Sequence, residues 1–317
     1  MTRASRARRL ATAAAYGGGG LTLLGTLAVG TLAVEARLAR RWVGRPFGEA
    51  GPDADGTYGD GDGPPLVLGV LGDSAADGLG AETPDQTPGA VVARGLAAVS
   101  GRPVRLVGRS RVGADSHDLD RQARRLLAEV VPDVVVVVVG ANDVTHRVPP
   151  ADAVGLLGDA VRLLRGAGCQ VVVGTCPDLD VVEPVAQPLR GLARRWSREL
   201  AAAQTVAVVE AGGRSVSLGD LLGPAFGAAP AEMFSADGFH PSPAGYARVA
   251  AALLPAVAAS LGVWPEDPTP GTGRSARVVP VDQAAAAASL EPGTEVEQAP
   301  HHGVAGRWAR LRRRAER

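Results

Sequence analysis

Between residues 66 and 262 the chain alternates short apolar runs with longer segments whose apolar residues recur every three or four positions. The runs at 66–71, 104–107, 134–139, 170–175 and 205–209 each predict a β-strand. Six consecutive valines at 134–139 leave no wet face, so that run predicts a central parallel strand covered on both sides. Leu119, Ala123, Leu126, Leu127 and Val130 fall on one helical stripe, as do Val154, Leu157, Val161 and Leu164, and then Leu189, Leu192, Trp196 and Leu200. Ser242 and Pro243 predict an N-cap and first position of a last helix, with Ala247, Val249, Ala250, Leu253, Leu254 and Val257 as its apolar face. Strands alternating with helices predict an α/β fold, a parallel sheet with helices on both faces and right-handed crossovers. Ligands of such sheets sit beyond the carboxyl ends of the strands.

The pattern fails at both ends. Residues 1–46 carry eight arginines and one acid, Glu35, around an uncharged apolar run at 10–34. Those 25 residues exceed the roughly 20 that cross a bilayer as a helix, and a basic stop follows them, so a membrane anchor is expected, with a cleaved secretory signal as the alternative. The main domain is then expected on the extracytoplasmic side. Residues 47–64 are rich in Gly, Pro and Asp and read as an acidic, solvated linker. Residues 65–263 form the folded domain. Residues 264–317 lose all periodicity and end in a basic run, which predicts a disordered tail.

Composition narrows the chemistry. The 317 residues contain 33 basic side chains, all arginine, balanced by 33 acids. With no lysine there is no Walker A lysine, no Schiff base and no kinase-type lysine. Zero net charge predicts no nucleic-acid partner. Cys169 and Cys176 flank one predicted strand; seven extended steps of about 3.3 Å put them about 23 Å apart, too far for a disulfide. No set of His, Cys and acidic residues has metal-ligand spacing, and no cofactor is implied.

The strand ends carry the candidate chemistry. The first ends in Gly72-Asp73-Ser74, the second leads to Gly113, the third ends in Gly140-Ala141-Asn142-Asp143, and the last block is Asp237-Gly238-Phe239-His240-Pro241. A serine hydroxyl needs a base, and His240 can serve. An imidazole must be held in one tautomer and stabilised when cationic, which Asp237 can do. A tetrahedral oxyanion needs donors, available from the backbone N–H groups of Ser74 and Gly113 and from the Asn142 amide. Singly, Gly-Asp-Ser reads as a turn and helix N-cap, Asn-Asp as turn chemistry and Asp-x-x-His as a surface pair; in this order at the ends of one sheet they point to acyl transfer. His146 follows the third block and lines the predicted cleft, whereas His117 opens a helix.

These blocks, "VLGVLGDSAADGLG", "RSRVGADS", "VVVVVVGANDV" and "DGFHPSPAGY", resemble the four sequence blocks of the SGNH hydrolases, the GDSL-type esterases and lipases. The resemblance spans about residues 66–262. It implies a three-layer α/β/α sandwich, flavodoxin-like, with a mainly parallel five-stranded sheet. It further implies Ser74 as nucleophile, Asp237 and His240 as its partners, and Ser74, Gly113 and Asn142 as oxyanion donors. Ala75 replaces the leucine of the family's motif, and Arg109 and Arg111 stand where many relatives carry smaller or amide residues, which fits an anionic substrate. The implied activity is hydrolysis of carboxylic esters, of esterase, lipase or carbohydrate-deacetylase type, on a small-molecule, lipid or glycan ester. The alternatives are acyl transfer to an alcohol on the same residues, and a non-catalytic membrane-anchored binding module.

Overall fold

The computed structural model describes residues 47–179, 189–219, 226, 229–263, 276–291, 293–299 and 307–312. The expected anchor at 10–34 lies outside them, and among the described residues no helix is long and apolar enough to cross a membrane.

The centre is one sheet of strands β1 (Gly56–Tyr58), β2 (Leu66–Gly72), β3 (Val104–Gly108), β4 (Val134–Val138), β5 (Gln170–Gly174), β6 (Arg214–Val216), β7 (Ala276–Pro280), β8 (Glu295–Gln298) and β9 (Trp308–Arg312). Their spatial order is β1-β3-β2-β4-β5-β6-β8-β9-β7. The five strands β3, β2, β4, β5 and β6 run parallel. Antiparallel β1 extends one edge, and β8, β9 and β7 extend the other, so the sheet is larger than the five strands expected. The helices are α1 (Ser74–Asp77), α2 (Pro88–Ser100), α3 (Leu119–Glu129), α4 (Ala141–His146), α5 (Pro150–Gly166), α6 (Leu189–Glu210), α7 (Pro230–Met233), α8 (Pro243–Ser260) and α9 (Val281–Ala288).

The valine run explains the layers. Val134, Val136 and Val138 pack with α2 and α8 through Leu96, Leu253 and Val257, whereas Val135, Val137 and Val139 pack with α3 and α5 through Leu126, Leu157 and Val161. All six are buried, each stabilising the fold by on the order of 1.5–3 kcal/mol. Strands β2 and β4 end in step, with Gly72 beside Val138, so the loops after both strands open at the same place. Ser242 caps α8 as expected, accepting from Gly245 N–H.

Three expectations are corrected. Residues 205–209, read as the fifth strand, are the last turns of α6, and the fifth parallel strand is the three-residue β6. A β-branched apolar run looks like a strand; here it is a helix buried on two sides, with Val208 against the sheet and Val209 against α9. Periodicity alone does not separate the two cases. Second, the tail expected to be disordered carries α9, β7, β8 and β9. Ala284, Ala288, Val296, Ala309 and Leu311 form a small core with Val209. Its charges pair across strands: Arg214 reaches Glu295 at 2.8 Å and Glu297 at 2.6 Å, and Arg312 reaches Glu297 at 3.1 Å. Third, the expected linker is docked, since β1 pairs with β3 through Gly56↔Leu106 and Tyr58↔Val104. Both cysteines are buried and free, in line with the spacing argument.

Candidate active site

Strand β2 turns into α1 within two residues. Gly72 makes that turn at φ 135, where a Cβ would meet Val138 O at 1.8 Å, so only glycine fits. Asp73 caps the helix by accepting from Ala75 N–H at 2.9 Å, and left-handed Gly78 closes it with an N–H to Ser74 O. Ser74 is thereby the first residue of a single turn at the end of a central strand, and its N–H has no acceptor within the helix.

The loop between α7 and α8 brings the partners. Asp237 Oδ1 accepts from the N–H groups of Phe239 and His240, both at 2.9 Å, while Oδ2 faces His240 Nδ1 at 2.6 Å. His240 Nε2 lies 3.0 Å from Ser74 Oγ. With a carboxylate at Nδ1 the proton sits on that nitrogen, leaving Nε2 to accept from the serine hydroxyl. Burial pushes the Asp237 carboxyl up, but the hydrogen bonds from the His240 ring and the two backbone N–H groups outweigh it and hold the group below the usual range. Asp237 is therefore an anion at neutral pH.

The two other strand-end loops are tied to each other. Gly113 is left-handed, at φ 77, with nothing within 4 Å of where a Cβ would stand. Asn142 Nδ2 donates to Ala114 O at 2.8 Å, and Ser116 donates through both N–H and Oγ to Asp143, each at 3.0 Å. Among the described residues the other Asn142 amide hydrogen has no acceptor. Arg111 N–H reaches Gly72 O at 3.1 Å, joining the Gly113 loop to the nucleophile turn. Gly140, at φ 138, lets α4 start against Cys176, whose Cβ would be 2.7 Å from a Cβ at position 140. Burial pushes the Cys176 thiol well up. His117 and His146 both place Nδ1 on the Asp115 carboxylate, at 3.0 and 3.1 Å. Arg109 pairs with Asp55 and Glu129, and Arg111 with Asp118.

Two glutamines were not singled out from sequence. Gln122 Oε1 accepts from Gly72 N–H at 2.8 Å and its Nε2 donates to Gly72 O at 2.9 Å, clamping the turn before Ser74. Gln204 does the same between Cys176 N–H and Val139 O, at 2.7 and 3.1 Å. The signal was present for Gln122: it lies among Leu119, Ala123 and Leu126 on the buried stripe of α3, where an amide must find partners.

Asp73 is the electrostatic anomaly. Burial raises its pKa to about 7, against the Ala75 N–H bond and the attraction of His240. Between about pH 4 and 7 the folded protein holds a proton that the unfolded chain has released. Stability from this group is therefore fully present below about pH 4 and lost as pH rises to about 7. Asp73→Asn removes that loss while keeping an acceptor for Ala75. The variant's unfolding free energy, from urea titration, is expected to gain on wild type by a few kcal/mol, at about 1.4 kcal/mol per pKa unit, between pH 4 and pH 8. A difference that stays constant with pH contradicts this assignment.

Residues 70–248 match the model of the GDSL-like lipase/acylhydrolase family. A GDSL-like esterase of Mycobacterium tuberculosis is 42% identical over 256 residues, covering 77% of this chain and 81% of that protein. Among solved structures, TesA is similar at 25% identity and a TM-score of 0.48, over 62% of this chain and 98% of that one. A catalytic mutant of Axe2, an acetylxylan esterase from Geobacillus stearothermophilus, is similar at 21% identity and a TM-score of 0.49, over 64% of this chain and 96% of that one. On the family match and the mycobacterial relative together, the chain belongs to the GDSL-like lipase/acylhydrolase family and is a hydrolase of ester bonds.

Proposed function

We propose that the protein cleaves carboxylic esters through an acyl-enzyme on Ser74. The observation that carries this reading is the unbroken hydrogen-bond chain from Ser74 Oγ to His240 Nε2 and from His240 Nδ1 to Asp237. Ser74 Oγ attacks the ester carbonyl carbon and its proton passes to His240 Nε2. The imidazolium that forms is stabilised by the Asp237 carboxylate. The carbonyl oxygen becomes an oxyanion facing the N–H groups of Ser74 and Gly113 and the free amide hydrogen of Asn142. Collapse breaks the bond to the alcohol oxygen, which leaves with the proton from His240. Water then repeats the sequence on the acyl-serine, giving the acid and the free hydroxyl. Removing one oxyanion donor typically costs 10²–10³ in kcat. Asn142→Ala is therefore expected to lower kcat about 10²-fold or more with KM little changed, and an unchanged kcat would remove Asn142 from the mechanism.

The family match supports an ester substrate, and the acyl chain is open to a direct test. The full chain is assayed on p-nitrophenyl acetate, butyrate and octanoate beside Ser74→Ala. Hydrolysis that disappears in the variant is expected, with the chain-length trend separating a deacetylase-like from a lipase-like pocket. Equal rates for wild type and variant on every ester would overturn the reading.

A further inference from the structure

Asp77 lies three residues after Ser74, at the end of α1. An acid there faces the carbonyl end of the helix, where negative charge is unfavourable, and a single turn has little stability of its own. Its carboxylate is instead held by two segments from elsewhere in the chain. Oδ1 accepts from Ser110 Oγ at 2.9 Å, and Oδ2 accepts from Gly51 N–H at 2.7 Å. Ser110 stands three residues before Gly113 in the same loop. Gly51 belongs to the segment that precedes β1.

That segment is seated by backbone contact. A Cβ at Gly51 would lie 2.0 Å from Asp77 O, and one at Gly61 would lie 2.2 Å from Gly101 O. Both approaches exclude any side chain. Between them Asp55 accepts from Gly108 N–H at 2.6 Å and pairs with Arg109 at 2.9 Å, while β1 pairs with β3. Residues 51–61 form a strap across the nucleophile helix, the end of β3 and the end of α2.

We infer that Asp77 is a positioning residue for ester hydrolysis: its carboxylate locks the strap, the nucleophile turn and the Gly113 loop into one unit, fixing Ser74 relative to Gly113. The inference rests on the reading of Ser74 as nucleophile and Gly113 as oxyanion donor. A misplacement of about 1 Å at a reacting group can cost about 10²-fold in rate, which sets the scale of the effect.

The test uses the full chain with Asp77→Ala, Asp77→Asn, Gly51→Ala and Ser74→Ala, assayed on p-nitrophenyl butyrate. Asp77→Ala is expected to lower kcat about 10- to 100-fold with KM within about twofold, and to slow labelling of Ser74 by a fluorophosphonate in parallel. Asp77→Asn is expected to recover most of that loss, because the amide oxygen accepts from Gly51 N–H and the amide nitrogen donates to Ser110 Oγ. Gly51→Ala lowers kcat by displacing the strap. If Asp77→Ala does not fold, judged by circular dichroism and melting, Ser110→Ala removes one bond alone and is expected to lower kcat severalfold. Wild-type kcat in Asp77→Ala or, failing that, in Ser110→Ala overturns the inference, as does an asparagine variant no better than alanine or a loss confined to KM. Turnover surviving in Ser74→Ala would instead overturn the nucleophile reading, and this inference with it.

Discussion

Ser74→Ala is expected to lower kcat on p-nitrophenyl butyrate by about 10⁴- to 10⁶-fold, the range typical of losing the nucleophile from such a constellation. The substitution deletes one oxygen from a side chain that is already buried. Its only described side-chain bond is the one to His240, so the melting temperature is expected to stay close to wild type. The fall then reports chemistry rather than folding. His240→Ala is expected to cost a similar amount, and the double variant little more than either single one, because the residues act as a unit. Multiplicative losses in the double variant would contradict that unit. Steady-state kinetics on purified single and double variants provide the check.

Asp237→Asn is expected to lower kcat about 10⁴-fold at neutral pH. The reason is geometric. The two N–H groups of Phe239 and His240 both point at Oδ1, so the asparagine carbonyl oxygen must occupy that position. The amide nitrogen is then forced toward His240 Nδ1, 2.6 Å from the present Oδ2. Two donors cannot face each other, so His240 accepts at Nδ1 and keeps its proton on Nε2. In that tautomer it cannot take the proton of Ser74. The loop keeps both backbone bonds, and the variant is expected to melt near wild type. An Asp237→Asn enzyme with kcat within about tenfold of wild type would show that the tautomer is not set by this carboxylate.

Much of this site was legible from sequence because its residues lie at the ends of strands with strong apolar runs. The valines of β4 predict a central strand, and the position of Asn142 follows from where that strand stops. Gly72 was legible as part of a turn, and the structure gives both it and Gly113 a positive φ. What the pattern hid depends on pairing across long separations. Strand β6 is three residues, and its Arg214 meets Glu295 81 positions away. Glu295 and Glu297 therefore read as solvated until their partners are known. The apolar run at 205–209 looked like a strand because α9, itself assigned to a tail, covers the second face of α6. Residues 51–61 looked like linker because glycines permit flexible coil and close backbone contact equally well. The backbone contacts at Asp77 and Gly101 and the pairing of β1 with β3 separate the two. Gln122 was readable as a polar residue on a buried helical stripe, but its target, both backbone groups of Gly72, lies 50 residues away.

In the proposed mechanism Ser74 carries the acyl group. The most direct test is to inactivate the full chain with a fluorophosphonate, then measure the intact mass and locate the adduct by peptide mapping. That mechanism requires one phosphonyl adduct per chain, on the peptide containing Ser74, absent from Ser74→Ala and formed far more slowly in Asp237→Asn. An adduct on another residue, or equal labelling of Ser74→Ala, would contradict it.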